Sequence, residues 1–167
     1  SLGGGIQNLE APHSVLVQKM NIDARGPLAL NQALKAEADL LKAKAEAVDS
    51  YFRDHGMPLA GTGKIMVEEA EKNGLDWRLV AAIAVRESTG GKFTPSGDKD
   101  NPFGWGSTKK DHFKSFDHAI ETVARNLGGN NPNTAHYYAN KTTLQILRAY
   151  NPPSIVPRYA EQVMTIM

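Results

Sequence analysis

The stretch WRLVAAIAVRE, residues 77–87, decides the fold predicted from this sequence. Apolar residues occupy almost every direction around the axis of the helix that it would form, a pattern typical of a helix buried in the middle of a domain. Before it, Gly74 ends one helix and Asp76 is placed to cap the next, which begins at Trp77. We therefore predict a buried helix at the centre of the domain.

Glu87 is the single carboxylate on one face of this helix. Steps of three and four residues along that face pass Val80 and Ile83 before they reach Glu87, so the acid ends an apolar stripe. Desolvation and the negative end of the helix dipole both disfavour a charged carboxylate there. A glutamic acid kept neutral in this way is able to protonate the leaving oxygen of a glycosidic bond. The alternative is an ion pair with a basic residue from elsewhere, because Arg86 points about 100° away around the helix.

The rest of the chain predicts further helices. Residues 30–53 are rich in Ala, Lys, Glu and Leu and form one long amphipathic helix that Gly56 and Pro58 end. Shorter helices are expected from Gly63 to Asn73 and up to a cap at Gly128. The apolar stripe of the long helix comprises Leu30, Leu34, Leu41, Ala45, Val48 and Phe52. We therefore expect a mainly α fold with little or no β-structure.

Composition restricts the class of protein. The 167 residues carry a formal net charge of +1, with the basic residues spread along the chain, so we expect no nucleic-acid partner. The chain has no cysteine, which excludes disulfides and zinc–thiolate sites. No run of about eighteen apolar residues predicts a transmembrane segment, and no export signal is visible at the start.

The segment RESTGG, residues 86–91, resembles the catalytic segment of lysozyme-like enzymes. In goose-type lysozymes, lytic transglycosylases and the related bacterial endo-β-N-acetylglucosaminidases, a buried helix ends in Glu-Ser before a glycine-containing turn, and the glutamate is the acid. The resemblance implies that Glu87 is the catalytic acid and that Ser88 lies at the substrate site. It covers roughly residues 58–167 and implies a lysozyme-like catalytic domain there. Residues 1–57 lie outside the resemblance and are expected to be an N-terminal arm and a long amphipathic helix, and whether they pack on the catalytic domain is left open.

The segment NPFGWG, residues 101–106, resembles the Asn-x-Phe-Gly-[Ile/Trp] segment of the glucosaminidase branch. A glycine-flanked aromatic pair is able to present a Trp face to a sugar ring while backbone groups come close to substrate. The alternative is a tryptophan packed in a tight turn. The resemblance favours the cleft and implies substrate contacts from Asn101, Phe103, Gly104 and Trp105.

The segment AYNPP, residues 149–153, resembles the Ala-Tyr-Asn-x-Gly motif of lytic transglycosylases. It ends a short helix whose start carries the capping box Thr142-x-x-Gln145. The resemblance implies that Tyr150 and Asn151 orient the substrate. Proline stands where the family has its glycine region, which alters the loop backbone. Residues 157–163 look like the closing helix of the same families.

Three further expectations concern other polar residues. Ordinary glycosidases need a second carboxylate roughly 5–9.5 Å from the acid, and Asp98 and Asp100 are the candidates, although a solvated turn is the more common reading of such residues. Tyr137 is a candidate for lining the cleft, with Tyr138 packing inward or the two reversed. No Asp/His grouping has convincing metal spacing, so we expect no metal and no cofactor.

Three functions follow from these patterns, in order of preference. The first is cleavage of the bond between N-acetylmuramic acid and N-acetylglucosamine by a muramidase or lytic transglycosylase. The second is cleavage after N-acetylglucosamine by an endo-β-N-acetylglucosaminidase, and the third is a non-catalytic glycan-binding module. All three predict a monomer that binds peptidoglycan glycan strands in the bacterial cell envelope.

Overall fold

The structure is a computed structural model that describes residues 26–106 and 112–167. Within these ranges the chain forms seven α-helices and no β-strand, which confirms the mainly α fold. The helices are α1 (Pro27–Asp54), α2 (Gly63–Lys72), α3 (Leu79–Ser88), α4 (Phe116–Leu127), α5 (Ala135–Tyr138), α6 (Thr143–Tyr150) and α7 (Tyr159–Ile166). No helix of the described part of the chain is long and apolar enough to cross a membrane.

Helix α1 is the long amphipathic helix expected from composition, and it starts three residues earlier than predicted. Pro27 occupies its first turn. Backbone N–H groups in the first turn have no intrahelical acceptor, so the absence of an N–H in proline costs no hydrogen bond there. The buried stripe differs from the predicted one at its beginning, because Leu34 is 43% exposed whereas Ala33 and Glu37 are buried. From Ala45 onward the predicted stripe is correct.

The C-terminal half of α1 packs on α2 and on the common core. Val48 and Phe52 belong to the same buried cluster as the apolar residues of α3. Asp49 accepts hydrogen bonds at 2.8 Å from the backbone N–H groups of Gly61 and Gly63, which joins α1 to the start of α2. These contacts fix α1 against the helices that follow it. The division at residue 57 remains a prediction.

Helix α3 lies at the centre of the fold. Each residue from Leu79 to Ala84 is buried, and α3 contacts α2, α4 and α7. The helix begins two residues later than predicted, because Trp77 and Arg78 form a turn in which Asp76 accepts the Arg78 N–H at 2.9 Å. Its prediction as a buried central helix is confirmed.

The end of α3 is set by a left-handed turn. Thr89 has a φ of 52° and Gly90 a φ of 65°, and their N–H groups donate to the carbonyls of Val85 and Ala84. A Cβ on Gly90 would lie 2.5 Å from the sulfur of Met57, so only glycine fits there. This turn redirects the chain immediately after Glu87.

Helices α4 and α7 contact α3, and α6 packs on α7. The predicted cap of α4 and start of α6 are correct, whereas α7 begins at Tyr159, two residues later than predicted, and ends at Ile166. Gly128 caps α4. The capping box of α6 has both of its hydrogen bonds, from Gln145 N–H to Thr142 Oγ1 and from Thr142 N–H to Gln145 Oε1. Helix α7 packs against both α3 and α6. It therefore brings its first residue, Tyr159, towards the last turn of α3.

Candidate active site

Glu87 ends the apolar stripe of α3 as predicted, but it is half-buried rather than buried. Val80, Ile83 and Ala84 on the same face are fully buried, whereas Glu87 stands in the last turn, where the helix leaves the core. Its Oε1 accepts a hydrogen bond of 2.6 Å from the hydroxyl of Tyr159. Among the described residues, no basic side chain forms an ion pair with it. The hydrogen-bond partner of the Glu87 carboxyl group is therefore the phenol of Tyr159.

Tyr159 is the site residue that the sequence reasoning missed. Only 1% of it is exposed, and its ring stacks on that of Tyr150 with centroids 6.0 Å apart and planes 14° apart. Burial raises the pKa of Tyr159, and the hydrogen bond and negative charge of Glu87 raise it further. The phenol therefore keeps its proton and donates a hydrogen bond to Glu87. The segment PRYAEQV, residues 157–163, predicts a closing helix, and its tyrosine is the signal in the sequence that points to a site residue.

Tyr150 lies beside Tyr159, at the end of α6. Its hydroxyl donates a 2.5 Å hydrogen bond to the carbonyl of Phe103, which fixes the turn 101–105 against α6. Burial raises the pKa of Tyr150 well above its usual value, and the charge of Glu87 acts in the same direction. Tyr150, which the motif predicts to orient substrate, therefore lies close enough to Glu87 for the charge of the carboxylate to affect its pKa.

The turn 101–105 is held together by its own polar groups. The side chain of Asn101 donates to the carbonyl of Trp105 at 2.9 Å and accepts the Trp105 N–H at 3.0 Å. Asn101 is fully buried and Phe103 is 1% exposed. Both side chains are turned into the protein, and Asn101 is hydrogen-bonded within its own turn. Their contact with substrate remains a prediction.

Ser88 is also turned into the protein. It is 3% exposed, its hydroxyl donates to the carbonyl of Ala84 at 3.1 Å, and it accepts the Gly91 N–H at 2.9 Å. Both interactions stabilise the turn that ends α3. Its contact with substrate remains a prediction.

Gly104 lies beside Glu87. It is exposed and has a φ of 60°, a conformation that glycine adopts without strain. A Cβ at this position would stand 3.8 Å from Oε2 of Glu87. The two carboxylate oxygens therefore differ, since Oε1 is held by Tyr159 while Oε2 faces the backbone of an exposed glycine.

An aromatic row leads away from Glu87. We use this name for the consecutive rings of Tyr159, Tyr150, Trp105, Tyr138 and Tyr137. Trp105 is half-buried, with its ring centroid 5.8 Å from that of Tyr150 and 6.3 Å from that of Tyr138. Tyr138 packs inward at 8% exposure, whereas Tyr137 is 55% exposed at the end of the row.

The two candidate second carboxylates lie outside this cluster of contacts. Asp98 is mostly buried, and its Oδ1 has no hydrogen-bond partner and lies 3.9 Å from Nδ1 of His112. In the part of the chain that the structure describes, no hydrogen bond or ion pair joins Asp98 or Asp100 to Glu87, Tyr150 or Tyr159. The described residues thus bring no second carboxylate into contact with the tyrosines around the acid.

Asn151 occupies the C-cap of α6, directly after Tyr150. Its backbone N–H donates to the carbonyl of Leu147 at 3.0 Å, and the residue is half-buried. Its role in orienting substrate remains a prediction. In residues 26–106 and 112–167, no three side chains of the metal-binding types His, Asp and Glu are grouped to hold a metal ion.

A separate apolar cavity of about 200 Å³ lies on the other side of α3. Its walls come from the C-terminal half of α1, from Ala81, Ala82 and Val85 of α3, and from Ile166 and Met167. At about 100° per residue, this face of α3 is opposite to the one that carries Glu87. The cavity is therefore independent of the acid.

The described residues define a mainly α protein in which one half-buried glutamic acid is hydrogen-bonded to a tyrosine and flanked by an aromatic row. Comparison of the chain with protein-family models, with curated proteins and with solved structures found no match. The resemblance to lysozyme-like enzymes thus rests on the motifs alone. Chemically, the arrangement is suited to donating a proton from Glu87 to an oxygen placed beside Gly104.

Proposed function

We propose that this chain is a peptidoglycan glycosidase that cleaves the β-1,4 bond between N-acetylmuramic acid and N-acetylglucosamine, with Glu87 as general acid. The observation that carries the proposal is the asymmetric environment of the carboxylate. One oxygen is fixed by the Tyr159 hydroxyl at 2.6 Å, and the other faces the exposed backbone of Gly104. A general acid needs this combination of a fixed orientation and an open oxygen.

In the proposed reaction, Glu87 donates its proton to the glycosidic oxygen as the bond from that oxygen to the anomeric carbon breaks. The leaving sugar departs with a new hydroxyl group, and positive charge develops on the sugar that remains. Glu87 is left as a carboxylate, to which Tyr159 still donates its hydrogen bond. That hydrogen bond is stronger to the carboxylate than to the neutral acid, so it stabilises the transition state more than the ground state.

We propose the route that uses Glu87 alone. A two-carboxylate mechanism needs a nucleophile or base roughly 5–9.5 Å from the acid. Among the described residues, no hydrogen bond or ion pair links Asp98 or Asp100 to Glu87, whereas Glu87 itself is held in place by Tyr159. In the one-acid route, the acetamido group of the substrate assists bond breaking. Glu87 then takes the proton of the 6-hydroxyl as that oxygen bonds to the anomeric carbon. The product is an anhydro-muramic end, as in lytic transglycosylases.

The aromatic row supports a carbohydrate substrate. Sugar rings present apolar C–H faces, which pack on aromatic side chains, while hydroxyl-bearing edges need polar partners. Tyr137 is the most exposed member of the row, at 55%, and Trp105 is half-buried, as is Tyr150. A glycan strand running from Gly104 along the row would place successive sugars on them. The substrate, and hence a site of action in the bacterial cell envelope, follow from this interpretation together with the three motifs.

Mass spectrometry of the fragments released from purified peptidoglycan tests the proposal. The wild-type protein is compared with Glu87→Gln, which keeps the shape of the side chain and an oxygen for Tyr159 but has no proton to donate. Glu68→Gln is the matched control, because Glu68 is an exposed glutamate on α2 that pairs only weakly with Lys64 at 3.8 Å.

We expect anhydro-muramic ends from the wild type and from Glu68→Gln, and none from Glu87→Gln. Fragments with N-acetylmuramic acid at a free reducing end would show hydrolysis and contradict the one-acid route. Asp98 and Asp100 would then be the next residues to vary. Reducing N-acetylglucosamine ends would identify an endo-β-N-acetylglucosaminidase instead. Release of no fragments by the wild type, with binding to the glycan, would refute enzymatic function in favour of a binding module.

A further inference from the structure

Arg86 precedes Glu87 in the chain and points in a different direction around α3. It is nevertheless connected to Glu87 through Tyr159, whose ring it contacts. Its guanidinium carbon lies 5.5 Å from the centroid of the Tyr159 ring. Its Nε also donates a 2.9 Å hydrogen bond to Oε1 of Gln162. Tyr159 and Gln162 are three residues apart on α7 and share one face of that helix. Arg86 therefore contacts both residues on that face.

We propose that Arg86 is a positioning residue for Glu87 that acts through the Tyr159 hydroxyl, an inference that rests on the proposed function. The order of contacts is Gln162 to Arg86, Arg86 to the ring of Tyr159, and the hydroxyl of Tyr159 to Glu87. Gln162 fixes the guanidinium, and the guanidinium fixes the ring. The fixed ring holds Oε1 of Glu87 and leaves Oε2 turned towards Gly104.

The charge of Arg86 also affects the strength of the hydrogen bond. A cation over an aromatic face withdraws electron density from the ring, and a phenol that has lost electron density is a better donor. Burial and Glu87 raise the pKa of Tyr159, and the positive charge of Arg86 opposes that rise. The groups in contact with Tyr159 are Arg86 and Glu87 from α3 and Tyr150 from α6, and Gln162 from α7 is hydrogen-bonded to Arg86.

A purely structural role for Arg86 would be to hold α7 in place. The chain offers a matched control for this alternative, because Arg148 of α6 also pairs with α7, through Glu161 at 3.7 Å. That pair is about half exposed on both sides and does not involve Tyr159. Arg148→Met removes an arginine contact to the same helix and leaves the Tyr159 ring untouched.

The experiment is a double-mutant cycle on the full chain, with a soluble oligomer of alternating N-acetylglucosamine and N-acetylmuramic acid as substrate. We expect Arg86→Met to lower kcat by roughly three- to fivefold and to change KM by less than about twofold, since the hydrogen bond acts in the transition state. Arg86→Lys retains the cation and should recover most of the loss. Arg148→Met should stay within about twofold of wild type.

The decisive comparison is made in the Tyr159→Phe background. Phenylalanine keeps the ring but has no hydroxyl, so Arg86→Met should lower kcat no further there if it acts through that hydroxyl. An equal loss in both backgrounds would overturn the inference, as would a loss in Arg148→Met that matches that of Arg86→Met. If Arg86→Met does not fold, Gln162→Ala, which frees the guanidinium, carries the same cycle.

Failure of the proposed function has a different signature. A wild-type protein that cleaves no glycan would overturn both the glycosidase proposal and this role of Arg86. Cleavage by the wild type with unchanged kcat in Arg86→Met would overturn the role of Arg86 alone.

Discussion

Removal of the Tyr159 hydroxyl is the perturbation whose effect can be worked out most directly from the structure. Tyr159→Phe keeps a ring that is 1% exposed and stacked on Tyr150, so core packing is retained. What is lost is the 2.6 Å hydrogen bond to Oε1 of Glu87. The effect on catalysis depends on how much stronger that bond is when Glu87 is a carboxylate than when it is a neutral acid.

Hydrogen bonds to charged groups contribute about 1.5–3 kcal/mol and neutral ones about 0.5–1.5 kcal/mol, so the difference is about 1–2 kcal/mol. In the proposed reaction, the negative charge on Glu87 develops as the proton leaves, and only this difference affects kcat. At 1.36 kcal/mol for each factor of ten, Tyr159→Phe should lower kcat by roughly 5- to 30-fold. KM should change little.

The assay is steady-state cleavage of a soluble glycan oligomer, with the melting temperature measured in parallel. Tyr51→Phe is the control, because Tyr51 is 39% exposed on α1 and stacks on His55, away from Glu87. A Tyr159→Phe protein with kcat within about twofold of wild type would refute the differential stabilisation of Glu87. A loss confined to KM would also refute it, because the hydroxyl would then act on substrate binding.

The other predictions concern Gly104 beside Glu87, the packing of the core and the stability of the protein at alkaline pH. Gly104→Ala places a methyl group 3.8 Å from Oε2 of Glu87 on a backbone with a φ of 60°, so kcat/KM for glycan cleavage should fall at least about tenfold. Phe52→Ala should lower the free energy of unfolding in urea by about 3–5 kcal/mol, because that α1 side chain is 1% exposed in the common core. Below pH 10 the phenols of Tyr150 and Tyr159 are protonated in both the folded and unfolded states, but above it only the unfolded state loses these protons. The free energy of unfolding should therefore fall above pH 10, by up to about 1.4 kcal/mol per pH unit for each tyrosine, and Tyr150→Phe should reduce that slope.

Features determined by a few neighbouring residues were predicted well. The buried character of α3, the cap at Gly128 and the capping box of Thr142 and Gln145 all follow from local periodicity and hydrogen bonding, and the structure has all three. The beginning of the α1 stripe was wrong at Leu34, which is 43% exposed. Heptad spacing identifies an apolar stripe but not which of two adjacent stripes has a partner, since that depends on tertiary packing.

The site shows the same division between local and tertiary information. Glu87 was found because an acid on an apolar helix face is visible within one turn. Tyr159 was missed because it is 72 residues further along the chain, and no local pattern links a phenol to a carboxylate at that separation. The motifs predict that Asn101 and Ser88 touch substrate, but a motif does not distinguish a residue that touches substrate from one that holds the turn around it. In the structure their hydrogen bonds stay within the protein.

The asymmetry at Glu87 also limits how the proposed reaction can proceed. Because the pKa of Tyr159 is raised, its phenol keeps its proton and goes on donating to Oε1 whether Glu87 is neutral or charged. The transferable proton is therefore carried by Oε2, on the side of Gly104. In the one-acid route the same oxygen must then take the proton of the attacking hydroxyl. Departure of the leaving group and attack on the anomeric carbon thus both take place on the Gly104 side of Glu87, so closing that side should block both steps together.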